Sequence, residues 1–229
     1  MRLSTTTALG LSALTVLALA GCSTRMEPAT TSTSSSTPAP QDGTPKAPAP
    51  LSSAELKTRL LSESDLGEGY TSTPPPAVRH DDVTVIGCPA LAELDSDTAT
   101  STSLSFPRKA KVSFTYAGSS SSELSEELYS DGAAKLSKGI GTVFDAMLSC
   151  PTYQVVSGST VIDMVTTKTS APQLGDERWS QLLTYSAGGQ SSVVKQTAIR
   201  SGNVLVIVSG SPALVDAHLA DAVQAAQAR

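Results

Sequence analysis

The chain has 229 residues, a formal charge of −5 and only two histidines. A mildly acidic chain with scattered cations lacks the electrostatic footprint of a nucleic-acid binder. The one basic cluster, Arg108, Lys109 and Lys111, reads as the solvated beginning of a strand.

The N-terminus carries an apolar run, Ala8–Ala20. It is too short for a membrane-spanning helix, which needs roughly 20 residues, and it has the length of a secretory signal's hydrophobic region. It ends in Leu19-Ala20-Gly21-Cys22, small residues closed by a cysteine. This lipobox predicts a lipoprotein signal peptide over residues 1–21 and a lipid on Cys22. Loss of Arg2 with that segment would take the formal charge from −5 to −6. Each buried CH₂ contributes about 0.8 kcal/mol, so several acyl chains anchor stably where one would not. The expected location is therefore the extracytoplasmic face of the cell membrane, with the bilayer as first partner.

Ser, Thr, Pro and Ala dominate from Ser23 to about Pro50. Such a composition cannot bury enough apolar surface to offset the entropy of ordering. Residues 22–50 thus read as a lipidated, disordered tether spanning roughly 30 Å. Residues 51–229 are one domain's worth of chain.

Within that domain, Ser52 and Glu55 form a capping box for a first helix running through Leu61. Asp65-Leu66-Gly67 turns out of it, and the triple-proline stretch Thr71–Asp82 reads as loop. A second short helix follows Cys88-Pro89 through Leu94, then a Ser/Thr-rich surface loop. Val112, Phe114 and Tyr116 alternate with polar residues, the period of a strand with one wet face. Leu124 and Leu128 suit a second strand. From Asp131 the period becomes helical, with Leu136, Ile140, Val143, Phe144, Met147 and Leu148 on one face leading to Cys150. Gly139 and Gly141 weaken that helix by up to about 1 kcal/mol each, and close packing against a sheet would explain them.

The last third is strand-rich. Tyr153–Val156 pairs with Val161–Thr167, and Trp179, Leu183 and Tyr185 lie on a strand that turns at Gly188-Gly189 into Ser192–Arg200. Val204–Ser209 is apolar on both faces and belongs at the centre of a sheet covered on both sides. Ser211 and Pro212 start a final helix with Leu214, Val215, Leu219, Ala222, Val223 and Ala226 as its buried stripe. The fold class is α+β, a mostly antiparallel sheet with helices packed on it. With Cys22 lipidated, Cys88 and Cys150 remain, and two thiols in an oxidising compartment form one disulfide.

The sequence has no Gly-x-Ser-x-Gly or His-Glu-x-x-His, and no phosphate-cradling glycine loop. No catalytic residue, metal site or cofactor is therefore assigned. His218 falls on the apolar stripe of the last helix, where a packed histidine is expected. His80 with Asp81 and Asp82 lacks further ligands for an ion. The acidic pairs Glu126/Glu127 and Asp176/Glu177, and Asp163 within its strand, are weak signals for paired-carboxyl chemistry. Aromatic residues make up 4% of the chain, too few for sugar-stacking platforms. Trp179, the single tryptophan, reads as core or as a pocket wall.

Several landmarks occur together in order: the lipobox and tether, Leu60-Leu61 before Asp65-Leu66-Gly67, Cys88-Pro89, Leu148-Ser149-Cys150, Leu174-Gly175-Asp176-Glu177, and Arg200-Ser201-Gly202-Asn203-Val204. In these the chain resembles the extracellular sensor domains of mycobacterial PknH-type kinases and of actinobacterial lipoproteins, over nearly all of residues 51–229. The resemblance implies a compact α+β domain with a central cleft, a disulfide-stapled core and no enzymatic activity. It also implies two disulfides in kinase-linked members, where this chain has cysteines for one. The expected function is a non-enzymatic, sensor-like module binding a small ligand, a lipid or an envelope protein. A lipid or glycolipid carrier is the alternative, and an envelope hydrolase is disfavoured by the missing motifs.

Overall fold

The computed structural model describes residues 48–74, 83–94, 106–118 and 122–228. The chain divides into two units, Met1–Thr44 and Pro45–Arg229, and all described residues belong to the second. Cys22, most of the Ser/Thr/Pro segment, the loop bearing His80, Asp81 and Asp82, and most of the Ser/Thr-rich run after Leu94 lie outside the described residues.

The described strands are β1 (Tyr70–Thr73), β2 (Val83–Ile86), β3 (Lys109–Tyr116), β4 (Ser122–Ser130), β5 (Thr152–Ser157), β6 (Thr160–Lys168), β7 (Glu177–Ala187), β8 (Gln190–Ser201) and β9 (Val204–Gly210). They form one sheet in the order β1-β3-β4-β9-β8-β7-β6-β5-β2, antiparallel at every step. The described helices are α1 (Ser53–Lys57), α2 (Glu63–Leu66), α3 (Pro89–Ala92), α4 (Ala133–Ser149) and α5 (Pro212–Gln227). The molecule is α+β, as the periodicities require.

Strand β9 sits at the centre of the sheet, and Val204 to Val208 are all buried. It is apolar on both faces because each face carries a helix. On one face α4 packs Leu136, Ile140, Val143, Phe144 and Met147 against Tyr129, Leu205, Ile207, Ala198, Leu183 and Tyr153. On the other, α5 packs Val215, Leu219, Ala222 and Val223, joined by Leu56, Leu61 and Leu66, against Phe114, Leu124, Leu128, Val206 and Ile199. Each such side chain contributes about 1.5–3 kcal/mol by leaving water. A helix about 10 Å across cannot cover nine strands spaced about 4.8 Å apart. Each face therefore keeps an open stretch. The α5 face leaves Ile86 on β2, Val161 and Val165 on β6 and Val193 on β8 exposed. The α4 face is open towards β3 and β4.

Cys88, the N-cap of α3, is bonded to Cys150, the C-cap of α4, with a Cα–Cα separation of 5.5 Å across 62 residues. The bridge fixes β2 and α3 to the end of the long helix.

Four local readings change. The first helix ends at Lys57 rather than Leu61, and Leu61 is buried beyond it because its N–H donates to Glu126 Oε2 at 2.7 Å. The turn at Asp65 is a second capped helix, with a capping box between Ser62 and Asp65. The beginning of the stretch read as loop is β1, held by pairing Tyr70 to Tyr116 and Ser72 to Phe114. Gly139 does meet a close neighbour, but it is Phe106: a Cβ there would lie 2.8 Å from the ring. Gly141 has open space and no such reason.

Candidate ligand-binding groove

Strand register places one polar row across the open part of the α4 face. Ser113 lies opposite Ser125, Ser125 opposite Ser209, Ser209 opposite Gln196, and Gln196 opposite Gln181. Alternation along β9 assigns the face, since Leu205 and Ile207 point to α4 and Ser209 follows them two residues on. The Gln181 end of the row is covered by α4, where its Nε2 donates to Gln196 Oε1 at 2.9 Å and contacts Met147 Sδ at 3.0 Å. The serine end is open, and forms a groove of about 660 Å³.

Six serines line this groove, at 113, 122, 125, 192, 209 and 211, together with Glu123, Tyr185, Val194 and the backbone around Gly210. Ser113, Ser125 and Ser209 are half-buried, and the Ser113 and Ser209 hydroxyls have no partner among the described residues. Gly210 shapes the rim. Its φ is +153°, and a Cβ there would come within 2.2 Å of the Glu123 carbonyl oxygen, the acceptor of the Ser211 N–H. Only glycine lets β9 approach β4 so closely. Burial pushes the Tyr185 phenol up to about 12, so it remains an O–H donor through the physiological range.

One row further, Lys111 Nζ pairs with Glu127 Oε1 at 2.6 Å, and the Tyr129 hydroxyl donates to Glu127 Oε2. Charge there is internally neutralised. Arg108 pairs with Asp131 at 3.5 Å, and so two members of the basic cluster are taken up by ion pairs at the beginning of β3.

The structure separates the other sequence candidates. Glu126 and Glu127 face opposite sides of the sheet, and no two-carboxyl site forms from them. Glu126 is buried on the α5 face, where desolvation raises its pKa to about 7 against the Leu61 N–H that lowers it. Asp163 is exposed and accepts from Gln154 Nε2 at 2.7 Å. His218 bonds the Tyr70 hydroxyl through Nε2 at 2.6 Å and has Asp221 Oδ2 3.9 Å from Nδ1. That pair ties edge strand β1 to α5, far from the groove. No cluster of potential metal ligands occurs among the described residues. No described helix is long and apolar enough to cross a membrane.

No family model matches the sequence, and no curated protein matches it significantly. Among solved structures, the extracellular domain of PknH from Mycobacterium tuberculosis superposes with a TM-score of 0.56 at 14% identity, over 77% of this chain and 97% of that one. The chain has the fold of that extracellular domain. An uncharacterised protein from Mycobacterium smegmatis, the Rv0999 ortholog, aligns over 77% of this chain and 95% of its own at 14% identity with a TM-score of 0.40.

Two of the short motifs that carry the resemblance, Leu174-Gly175-Asp176-Glu177 and Arg200-Ser201-Gly202-Asn203-Val204, meet in a structural clasp. Arg200 donates through Nε to Glu177 Oε2 at 2.5 Å and through Nη1 to Asp176 Oδ2 at 3.0 Å. Asp176 also accepts the Gly202 N–H at 2.8 Å, and Asn203 Nδ2 donates to the Ala49 carbonyl at 2.6 Å. The Arg200 guanidinium, helped by Ser137, holds the Glu177 carboxyl below its usual range. Gly175 is required here, because at φ +61° a Cβ would meet the Arg200 carbonyl oxygen at 2.5 Å. These residues close the corner between β7, β8 and β9 and are not part of the groove. Sequence reasoning missed the groove residues because serines on a strand look like any wet face, and only register collects them.

Proposed function

We propose that this chain is an extracytoplasmic, lipid-anchored binding module that takes a neutral, hydroxyl-bearing ligand in the serine groove and catalyses no reaction on it. The observation that carries the reading is the row Ser113–Ser125–Ser209 on an uncovered sheet face. Hydroxyls both donate and accept, and an open row of them suits a partner that does the same. The lone Glu123 disfavours an anion, and the Lys111–Glu127 pair offers no unpaired cation. Neither a histidine nor a lysine lines the groove, and Lys195, three residues after Ser192, is held in an ion pair with Asp216, so the groove serines have no Ser–His or Ser–Lys partner. An acyl carrier would need an enclosed apolar lining, which six serines do not provide.

The location rests on the lipobox ending at Cys22 and is supported by the likeness to an extracellular domain. A lipid on Cys22 would place the bilayer at the near end of the 22–50 tether. Substitution Cys22→Ser should move the protein from the membrane fraction to the medium and remove the lipid mass from the N-terminal peptide. Native mass spectrometry of the chain recovered from its own host's envelope tests the groove. A retained neutral ligand should be lost from the double variant Ser125→Phe, Ser209→Phe, which fills the groove. Retention of the same ligand by that variant would overturn the assignment.

A further inference from the structure

A second cavity lies under the far part of α4, away from the groove. It measures about 310 Å³, the low end of the range of small-molecule sites. Trp179 lines it beside Phe144 and Leu148 of α4, and Ser180 and Thr169 add hydroxyls already bonded to each other at 2.9 Å. The tryptophan is half-buried rather than sealed into the core. Two exposed cations, Lys168 and Arg178, also line the cavity, against one carboxylate, Asp145.

Arg108, Lys111, Lys135, Lys195 and Arg200 are each in an ion pair, and Arg59 donates to the Ala226 carbonyl. The side chains of Lys168 and Arg178 have no ion pair or hydrogen bond with a described residue, as is also true of Lys57, Lys109 and Lys138. A flat aromatic wall with two unpaired cations beside it complements a small organic anion that carries a ring. The ring would cover Trp179, with Phe144 buried behind it, and the anionic group would meet Lys168 and Arg178.

We infer that the Trp179 cavity is a second ligand site, separate from the serine groove, for a small ring-bearing organic anion such as an aromatic carboxylate. Trp179 is the only tryptophan in the chain, so intrinsic fluorescence reports this cavity alone. The probes are 4-nitrobenzoate and its neutral counterpart 4-nitrobenzamide, both quenchers of indole emission, titrated into the full chain. The carboxylate should quench saturably and bind about fivefold or more tightly than the amide. The double variant Lys168→Ala, Arg178→Ala should abolish that preference while leaving amide quenching unchanged, and Asp145→Asn should strengthen carboxylate binding. All three positions are exposed, so the variants fold. Linear, non-saturating quenching that is equal for the two probes would overturn the proposal, as would a preference that survives loss of both cations. The groove-filling variant should leave the titration unchanged. Failure of the neutral-ligand reading and failure of this one are therefore read from different experiments.

Discussion

At the scale of single residues, Glu126 and Glu127 show how one peptide bond separates two chemistries. Alternation sends Glu127 to the α4 face, where Lys111 and Tyr129 satisfy it, and Glu126 to the α5 face, where Leu61 donates one N–H and Oε1 has no partner. Burial raises the Glu126 pKa from 4.5 to about 7, with the Asp65 carboxylate pushing the same way. Between those values the folded state keeps a proton that the unfolded chain releases. Stability contributed by this group is therefore greatest below pH 4.5 and falls as pH rises to about 7, by an amount on the order of 3 kcal/mol. Glu55, Asp65, Asp131 and Glu177 act in the opposite sense, since their lowered pKa values withdraw stability only as pH falls through the acid range. Chemical denaturation at several pH values should give Glu126→Gln a flatter profile between pH 4.5 and 7, with its advantage over the parent growing towards neutrality. Equal slopes for the two proteins would mean that Glu126 is ionised throughout in the fold.

At the scale of elements, the long ones were legible, and of the four-residue ones only α3 was, while β1, α2 and β2 were not. The stripe of α5 and the apolar run of β9 repeat often enough to fix both type and face. In β1, Tyr70-Thr-Ser-Thr offers one apolar side chain, and only pairing with β3 makes it a strand. In β2, Val83 and Val85 belong to the α4-face core, yet the partner strand β5 begins 69 positions after Val83, beyond any local pattern. The same limit hid the groove, whose row joins Ser113 to Ser209 through register. Helix α4 illustrates a pattern that sequence described correctly and explained only in part. A Cβ on Gly139 would lie 2.8 Å from Phe106 and one on Gly141 would meet open space, and neither glycine has a positive φ. Gly141→Ala should stabilise the protein by up to about 1 kcal/mol through helix propensity. Gly139→Ala should lose that gain, because its Cβ displaces an aromatic ring in a packed interior, which costs about 1–3 kcal/mol. Thermal melts of the two variants test the contrast, and similar shifts in both would contradict the Phe106 contact.

At the scale of the whole molecule, the sheet is one continuous layer with a helix on each face, and its weakest margin is the β2 edge. Strand β2 has four residues and a single neighbour, β5, and α3 behind it has four more. Leu91, wholly buried, and the half-buried Val83 and Val85 are the main apolar anchors of that corner. Hydrogen bonds of one edge strand and three side chains hold little against fraying. The Cys88–Cys150 bridge changes this by fixing the junction between β2 and α3 to the C-terminus of α4, itself buried along its length by Leu136, Ile140, Phe144 and Met147. Closing a loop of 62 residues restricts the unfolded chain by about 4 kcal/mol on the loop-entropy account. The two effects have different signatures. Restriction of the unfolded chain lowers global stability when the bridge is removed, and loss of the tether lowers local protection at one edge. In the Cys88→Ser, Cys150→Ser variant the denaturation midpoint should fall. Native-state hydrogen exchange should show β2 and α3 opening at lower free energy than β8 and β9, which sit at the centre of the sheet. If exchange instead accelerated equally in every strand, the bridge would act only through the unfolded state, and the corner it closes would be held by its side chains alone.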